Sequence, residues 1–221
     1  MKTKEMNIKL FLVAALGHLL CWAGGDLLLY FVPNGPLDTM QLFDYERTAE
    51  MLRGANPIQF TVSGVAGTVA MMLALLGYYQ IYVFLKPVSK GTANVTLAGA
   101  LLTTVPGAVM HFTCTSMLWY FVRSGATKEA HDIMLAFFAE TSVTTLMCNA
   151  GVFMVCIALL VTVARGKTCL PRWVCLVNTL PLTVIAGIAL AGMGAMNVAS
   201  ALMFLGLYFC VRKYSADEEN K

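Results

Sequence analysis

The chain has 221 residues, of which 58% are hydrophobic and 12% charged, with a formal net charge of +3 and a mean hydropathy of +0.72. A soluble domain carries about 25% charged residues, so a water-soluble globule of this size is excluded. The small positive charge is spread between apolar blocks, which argues against nucleic acid as a partner.

The first apolar block, 10–32, follows Lys2, Lys4 and Lys9. At about 23 residues it exceeds the apolar core of a secretory signal, so it is read as a membrane-crossing helix. The segment 33–59 is polar enough for an outer loop. Pro33-Asn34-Gly35-Pro36 marks a turn, and Asp38 with Gln41 fits a capping box. Leu42, Tyr45, Ala49 and Leu52 then share one helical face, so a short amphipathic helix is expected, ending at Gly54. Further crossings are expected at 60–85, 95–122, 133–164, 173–191 and 195–211, since a transmembrane helix needs about 20 mostly apolar residues. The fourth block is too long for one crossing, and its start should lie along the outer interface. Gly192-Met193-Gly194 should join the last two in a tight hairpin, and Tyr214 to Lys221 should form a disordered tail.

The fold class is therefore all-α: one integral membrane domain, 1–221, of six transmembrane helices with a short amphipathic helix in the first outer loop. Eleven lysines and arginines fall on the side of the termini, and Arg47, Arg53, Arg123 and Lys128 on the other. The positive-inside rule puts both termini in the cytoplasm, and the expected location is the inner membrane of the cell. Small-residue pairs, Ser63 with Gly67, Gly187 with Ala191 and Ala195 with Ala199, predict close helix packing. Pro106 and Pro181 are expected inside helices three and five, with Thr103 and Thr104 satisfying carbonyls freed by Pro106. Tyr78, Tyr79 and Tyr82 are expected in a cytoplasmic aromatic belt.

Ionisable groups within the crossings carry the functional reading, because each costs about 2.5–3.5 kcal/mol in the bilayer. At 1.5 Å per residue, Asp26 and His111 each stand roughly 25 Å from the cytoplasmic boundary of their helices. Glu140 reaches the same outer level if its helix is tilted, and Asn197 opens helix six there. Asp26, His111 and Glu140 are expected to form an outward-facing polar pocket for a small molecule, ion or proton, with Asp26 as the central anion and His111 as its proton partner. His18 lies deeper, about 80° around the helix from Asp26, and is expected to bond a neighbouring helix. The alternatives are acid–base catalysis on a lipid-like substrate, and a non-catalytic subunit or assembly factor. No metal or cofactor is expected: Asp26, His111 and Glu140 match no ligand spacing, and no Walker A, HExxH, GxSxG or dinucleotide glycine pattern is present. The seven cysteines lie mostly in apolar runs and read as small hydrophobes. The expected partners are the bilayer and a small-molecule or ion ligand; the oligomeric state is left open.

The run Gly17-His18 through Gly25-Asp26-Leu27-Leu28-Leu29-Tyr30 resembles the first helix of a group of bacterial multi-pass membrane proteins of unknown function. The resemblance implies a six-helix bacterial inner-membrane protein and no particular activity.

Overall fold

The computed structural model describes residues 7–38, 40–190 and 193–219, with side chains to Ser215. Lys2, Lys4 and Lys221 of the charge count, and Ala191 and Gly192 of the expected hairpin, lie outside the described residues.

The chain opens with α1 (Lys9–Leu20), a π-helical turn (Cys21–Asp26) and α2 (Leu27–Tyr30). Phe31–Val32 (β1) pairs with Gly35–Pro36 (β2) across the Pro33-Asn34 turn. A 3-10 turn (Gln41–Phe43) leads to α3 (Tyr45–Met51), followed by α4 (Pro57–Leu85) and α5 (Lys90–Arg123). The remaining helices are α6 (Lys128–Thr141), α7 (Val143–Ala164), α8 (Thr179–Ala189) and α9 (Ala195–Glu219), with a 3-10 segment (Arg172–Val177) before α8.

Among the described residues, five stretches are helical, long and apolar enough to cross a membrane: Lys9–Tyr30, Pro57–Leu85, Lys90–Arg123, Lys128–Ala164 and Ala195–Ser215. The expected fifth crossing differs. Asn178 is extended, and its side chain caps Leu180 N, so α-helix begins only at Thr179. Its 11 residues span about 16 Å, short of the hydrocarbon thickness of about 30 Å. Pro181 thus falls in the first helical turn, where no backbone bond is lost, and not in a helix interior.

Contacts order the passes along one axis. At the base end, Asn7 N donates to Gln80 Oε1, and Ser89 and Thr92 share a groove with Arg165. At the opposite, roof end, Gln59 donates to the carbonyls of Leu28 and Phe31, and Asn197 meets Asp26. Residues 165–194, with the 3-10 segment and α8, lead from the base groove back to the level of Asp26 and Asn197, and α8 is a shorter apolar helix beside the five long ones. The backbone of α9 stays helical to Glu219, where a disordered tail was expected.

Both the interior and much of the surface are apolar, unlike a soluble bundle. On α4, Val62, Val65, Val69, Met72, Leu76 and Tyr79 form one exposed stripe, while Ser63 and Gln80 are buried. Large exposed apolar surfaces of this kind mark contact with another apolar phase. Glycines allow the backbones to meet: a methyl at Gly77 would lie 2.3 Å from Ala14 Cβ, and one at Gly151 would lie 2.4 Å from Thr103 N. The expected Gly187 contact is absent, since nothing lies within 4 Å of that position. Tyr78 is buried against His18 and Phe204 and does not join the belt. Thr104 Oγ1 bonds Ala100 O, and Thr103 Oγ1 has no partner, so neither threonine serves the carbonyl four residues before Pro106.

The roof is a small folded unit. Asp44, not Asp38, caps α3, accepting from Arg47 N, while Asp38 accepts from Met40 N two residues on. Asn34 closes the other end of α3 by donating to the carbonyls of Glu50 and Arg53. Leu42, Met51 and Leu52 are buried in an apolar cluster with Phe121 and Met134. His131, on α6, is buried with Nε2 2.9 Å from Leu42 O and pins the roof from the side. Asp44→Ala should cost about 1 kcal/mol and loosen the roof locally. Limited proteolysis should then cleave within 44–53 faster than in wild type, with the rest of the pattern unchanged; an identical cleavage rate would show that the cap does not hold this segment.

Candidate functional site

The apolar core is divided. One cluster, near the base, joins Phe11, Tyr78, Leu159 and Phe204, a second lies beneath the roof around Phe60, Leu118 and Phe121, and a small third one joins Cys21, Ala70 and Met71. Between the first two lies a polar layer built by α1, the π turn, α4, α5 and α9.

The π turn shapes this layer. Five residues of α-helix rotate a side chain by about 500°, placing the two about 140° apart. Bonding i to i+5 stacks them instead. Leu27 N accordingly bonds Trp22 O, and Cys21 and Asp26 come to one face. Ser63 Oγ donates to Gly25 O at 2.7 Å and ties the π turn to α4. Gly67 lets α5 approach: a methyl there would lie 2.5 Å from His111 Cγ.

His111 Nε2 lies 3.0 Å from Cys21 Sγ, and donor atoms of Cys21, Asp26 and His111 all lie within 4.8 Å of one another. All three residues are buried, Asp26 at 8% exposure. Asn197 Nδ2 donates to Asp26 Oδ2 at 2.8 Å, and Asn197 Oδ1 lies 2.9 Å from His18 Nδ1. Because the carboxylate takes the amide N–H, the amide oxygen faces His18, and His18 must donate from Nδ1. His18 stacks on Phe204, with ring centroids 5.6 Å apart, and its Nε2 has no protein partner. An amide does not pass a proton between its oxygen and nitrogen without tautomerising. The Asp26–Asn197–His18 line therefore works as a clamp that aims the carboxylate.

Two cavities meet at this layer. The roof-side chamber, about 440 Å³, is walled by Leu29, Leu42, Phe43, Met117 and Phe138, with Asp26 and His111 at its floor. The second, about 110 Å³, continues toward the base past Tyr78, Thr103, Asn149 and Ser200, and is also bordered by Asp26 and His111.

A model of a family of unknown function, DUF6796, matches residues 1–214. The chain belongs to the DUF6796 family. No curated protein and no solved structure matches it. The match covers nearly the whole DUF6796 chain, whereas the sequence resemblance rested on the first helix alone.

Of the residues singled out by sequence, the structure brings Asp26, His111, Asn197 and His18 into one layer. Glu140 does not join it: it is exposed near the end of α6, two residues before Ser142. α6 and α7 both pack along α5 and join at Ser142, whose backbone stays helical, so Glu140 is exposed because it sits on the outer face of α6. Cys21 was read with the other cysteines as a small hydrophobe, and regular α-helical winding would also place it on a different face from Asp26. The available signal was Gly24-Gly25, a pair that weakens α-helical winding, beside an acid inside an apolar run.

The geometry also discriminates between chemistries. In a nucleophile relay, carboxylate and sulfur occupy opposite imidazole nitrogens, roughly 7 Å apart. Here sulfur, carboxylate and ring nitrogen converge within 4.8 Å, and the described hydrogen bond of Asp26 goes to Asn197 rather than to His111. The arrangement suits ligand binding better than serial proton transfer.

Proposed function

We propose that this protein crosses the cell membrane six times, with both termini cytoplasmic, and binds a small amphiphilic molecule in the roof-side chamber. The apolar body lies against Met117, Phe43 and Phe138, and a cationic or hydroxyl head group meets Asp26 and His111 at the floor. The chamber itself carries this reading: its volume of about 440 Å³ falls in the range of small-molecule sites, about 300–1,000 Å³, and its walls are apolar with polar groups gathered at one end. The base-end excess of lysine and arginine supports the orientation, and the exposed apolar stripes support bilayer contact.

A panel of long-chain amines, alcohols and acids, screened by thermal unfolding of the purified protein, tests the proposal. A binder at 100 times its Kd stabilises the folded state by about 2.7 kcal/mol. An amine or alcohol is expected to raise the Tm of wild type and to lose most of that effect in Asp26→Asn. A panel that leaves the wild-type Tm unmoved, or that stabilises Asp26→Asn equally, would sink the proposal.

The smaller cavity favours a second reading, passage of the head group or of an ion toward the base. It offers His18 Nε2 and Thr103 Oγ1, neither of which has a partner among the described residues. Uptake into liposomes, abolished by filling this cavity with Ser200→Leu while chamber binding persists, separates passage from binding alone.

A further inference from the structure

The buried carboxylate of Asp26 poses an electrostatic problem that the protein itself leaves unsolved. Neither cavity is lined by a lysine or arginine among the described residues. Asn197 supplies a dipole, not a charge. A charge held in apolar surroundings is paired or coordinates a metal. The neighbouring groups are a thiol and an imidazole, and neither is a permanent cation.

We infer that Cys21, Asp26 and His111 bind one thiophilic divalent cation, Zn²⁺ by the character of its ligands, with a fourth coordination position open to the roof-side chamber. Three lines of chemistry lead there. The donors are one sulfur, one imidazole nitrogen and one carboxylate oxygen, the ligand types that tetrahedral zinc takes. Their separations are near those required: zinc bond lengths of about 2.0–2.3 Å at a tetrahedral angle put ligand atoms about 3.3–3.6 Å apart. Sulfur and Nε2 stand at 3.0 Å, and all three donors lie within 4.8 Å, so small side-chain rotations complete the set. The charges also cancel. Thiolate and carboxylate sum to −2, the imidazole is neutral, and a divalent ion makes the buried complex neutral, which the hydrocarbon surroundings favour.

The supporting shell has the form expected of a ligand set. The carboxylate is oriented by Asn197, which is itself held by His18. The π turn that brings Cys21 beneath Asp26 also packs on α4 through Ser63, and such turns gather at functional sites. Three protein ligands with an open fourth position distinguish reactive or exchanging metal sites from closed structural ones. Binding displaces the thiol proton of Cys21 to solvent, so it releases a proton and tightens as pH rises. This inference does not depend on the amphiphile proposal, with which it shares the chamber floor: with the metal bound, a hydroxyl head group can take the open fourth position, whereas a cationic head group requires the metal-free carboxylate.

The test is Co²⁺ titration of the full chain in detergent, followed by displacement with Zn²⁺. Wild type should take up one Co²⁺ per chain, with the intense near-ultraviolet sulfur-to-metal band of a thiolate ligand, and Zn²⁺ should abolish the band. Cys21→Ser should remove the band and weaken Zn²⁺ binding by more than the roughly 10–100-fold that loss of an outer-shell partner costs, and His111→Ala should weaken it similarly. Cys175→Ser, which alters a thiol packed near Leu160 O, should change neither. A wild-type protein without the band overturns the inference whether or not any variant folds, as does a band that survives in Cys21→Ser. Because Co²⁺ is the probe, failure of the amine and alcohol panel leaves this outcome unaffected.

Discussion

Asn197→Leu is expected to lower stability by about 3 kcal/mol, although leucine is close to asparagine in size. The amide at this position serves two buried partners at once, donating to Asp26 Oδ2 and accepting from His18 Nδ1. An interhelical bond between neutral groups in a membrane protein contributes about 0.6–1.7 kcal/mol, and one to a carboxylate about 1.5–3 kcal/mol. The larger part of the loss therefore comes from leaving Asp26 unpaired. If so, Asn197→Leu combined with Asp26→Leu and His18→Phe should recover much of the stability, since an all-apolar cluster leaves no group unsatisfied. Reversible unfolding in mixed micelles gives the comparison. A loss below 1 kcal/mol in the single variant, or strict additivity in the triple, would show that the three side chains do not act as a unit.

Gly151→Ala should be about as damaging for a purely steric reason. The added methyl would lie 2.4 Å from Thr103 N, 2.5 Å from Thr103 Oγ1 and 2.6 Å from Gly99 O. Two of these are backbone atoms of α5, which no rotamer change can move aside. α5 and α7 must separate along their crossing, at a cost of about 3 kcal/mol, the upper range for overpacking. For a chain of this length that lowers Tm by roughly 10 °C. Gly187→Ala is the matched control: nothing lies within 4 Å of it, so helix propensity should leave the protein neutral or stabilised by about 0.5–1 kcal/mol. Equal Tm values for the two variants would contradict the described α5–α7 contact.

The two glycines also show how far sequence patterns reach. Gly187 sits in a small-residue pair, and the pattern predicts a close crossing, yet it faces open space. Gly151 stands in no singled-out pair and lies at the tightest approach of α5 and α7. A stripe of small residues permits contact but does not say which partner arrives. Likewise, Asp38 and Asp44 both suit a helix cap. The extended backbone at Asp44, with Leu42, Met51 and Leu52 buried against Phe121 and Met134, decides between them.

Sequence alone was enough for the apolar character of the chain, for five of the six expected apolar helices and for the turn at Pro33-Asn34, and it singled out Asp26, His111 and Asn197, which the structure brings together, along with Glu140, which it does not. These follow from composition, from a rise of 1.5 Å per residue and from the intolerance of hydrocarbon for charge, all of which act locally along one helix. Tertiary structure decided rotation and partnership. Extended backbone at Asn178 shortened the fifth helix, the packing of α6 on α5 left Glu140 on the exposed face, and the π turn moved Cys21 beneath Asp26 and opposite His111. Depth is set by counting residues from an interface. Facing is set by helix winding and by which neighbour packs against it, and a single turn of altered winding is enough to exchange one candidate ligand for another.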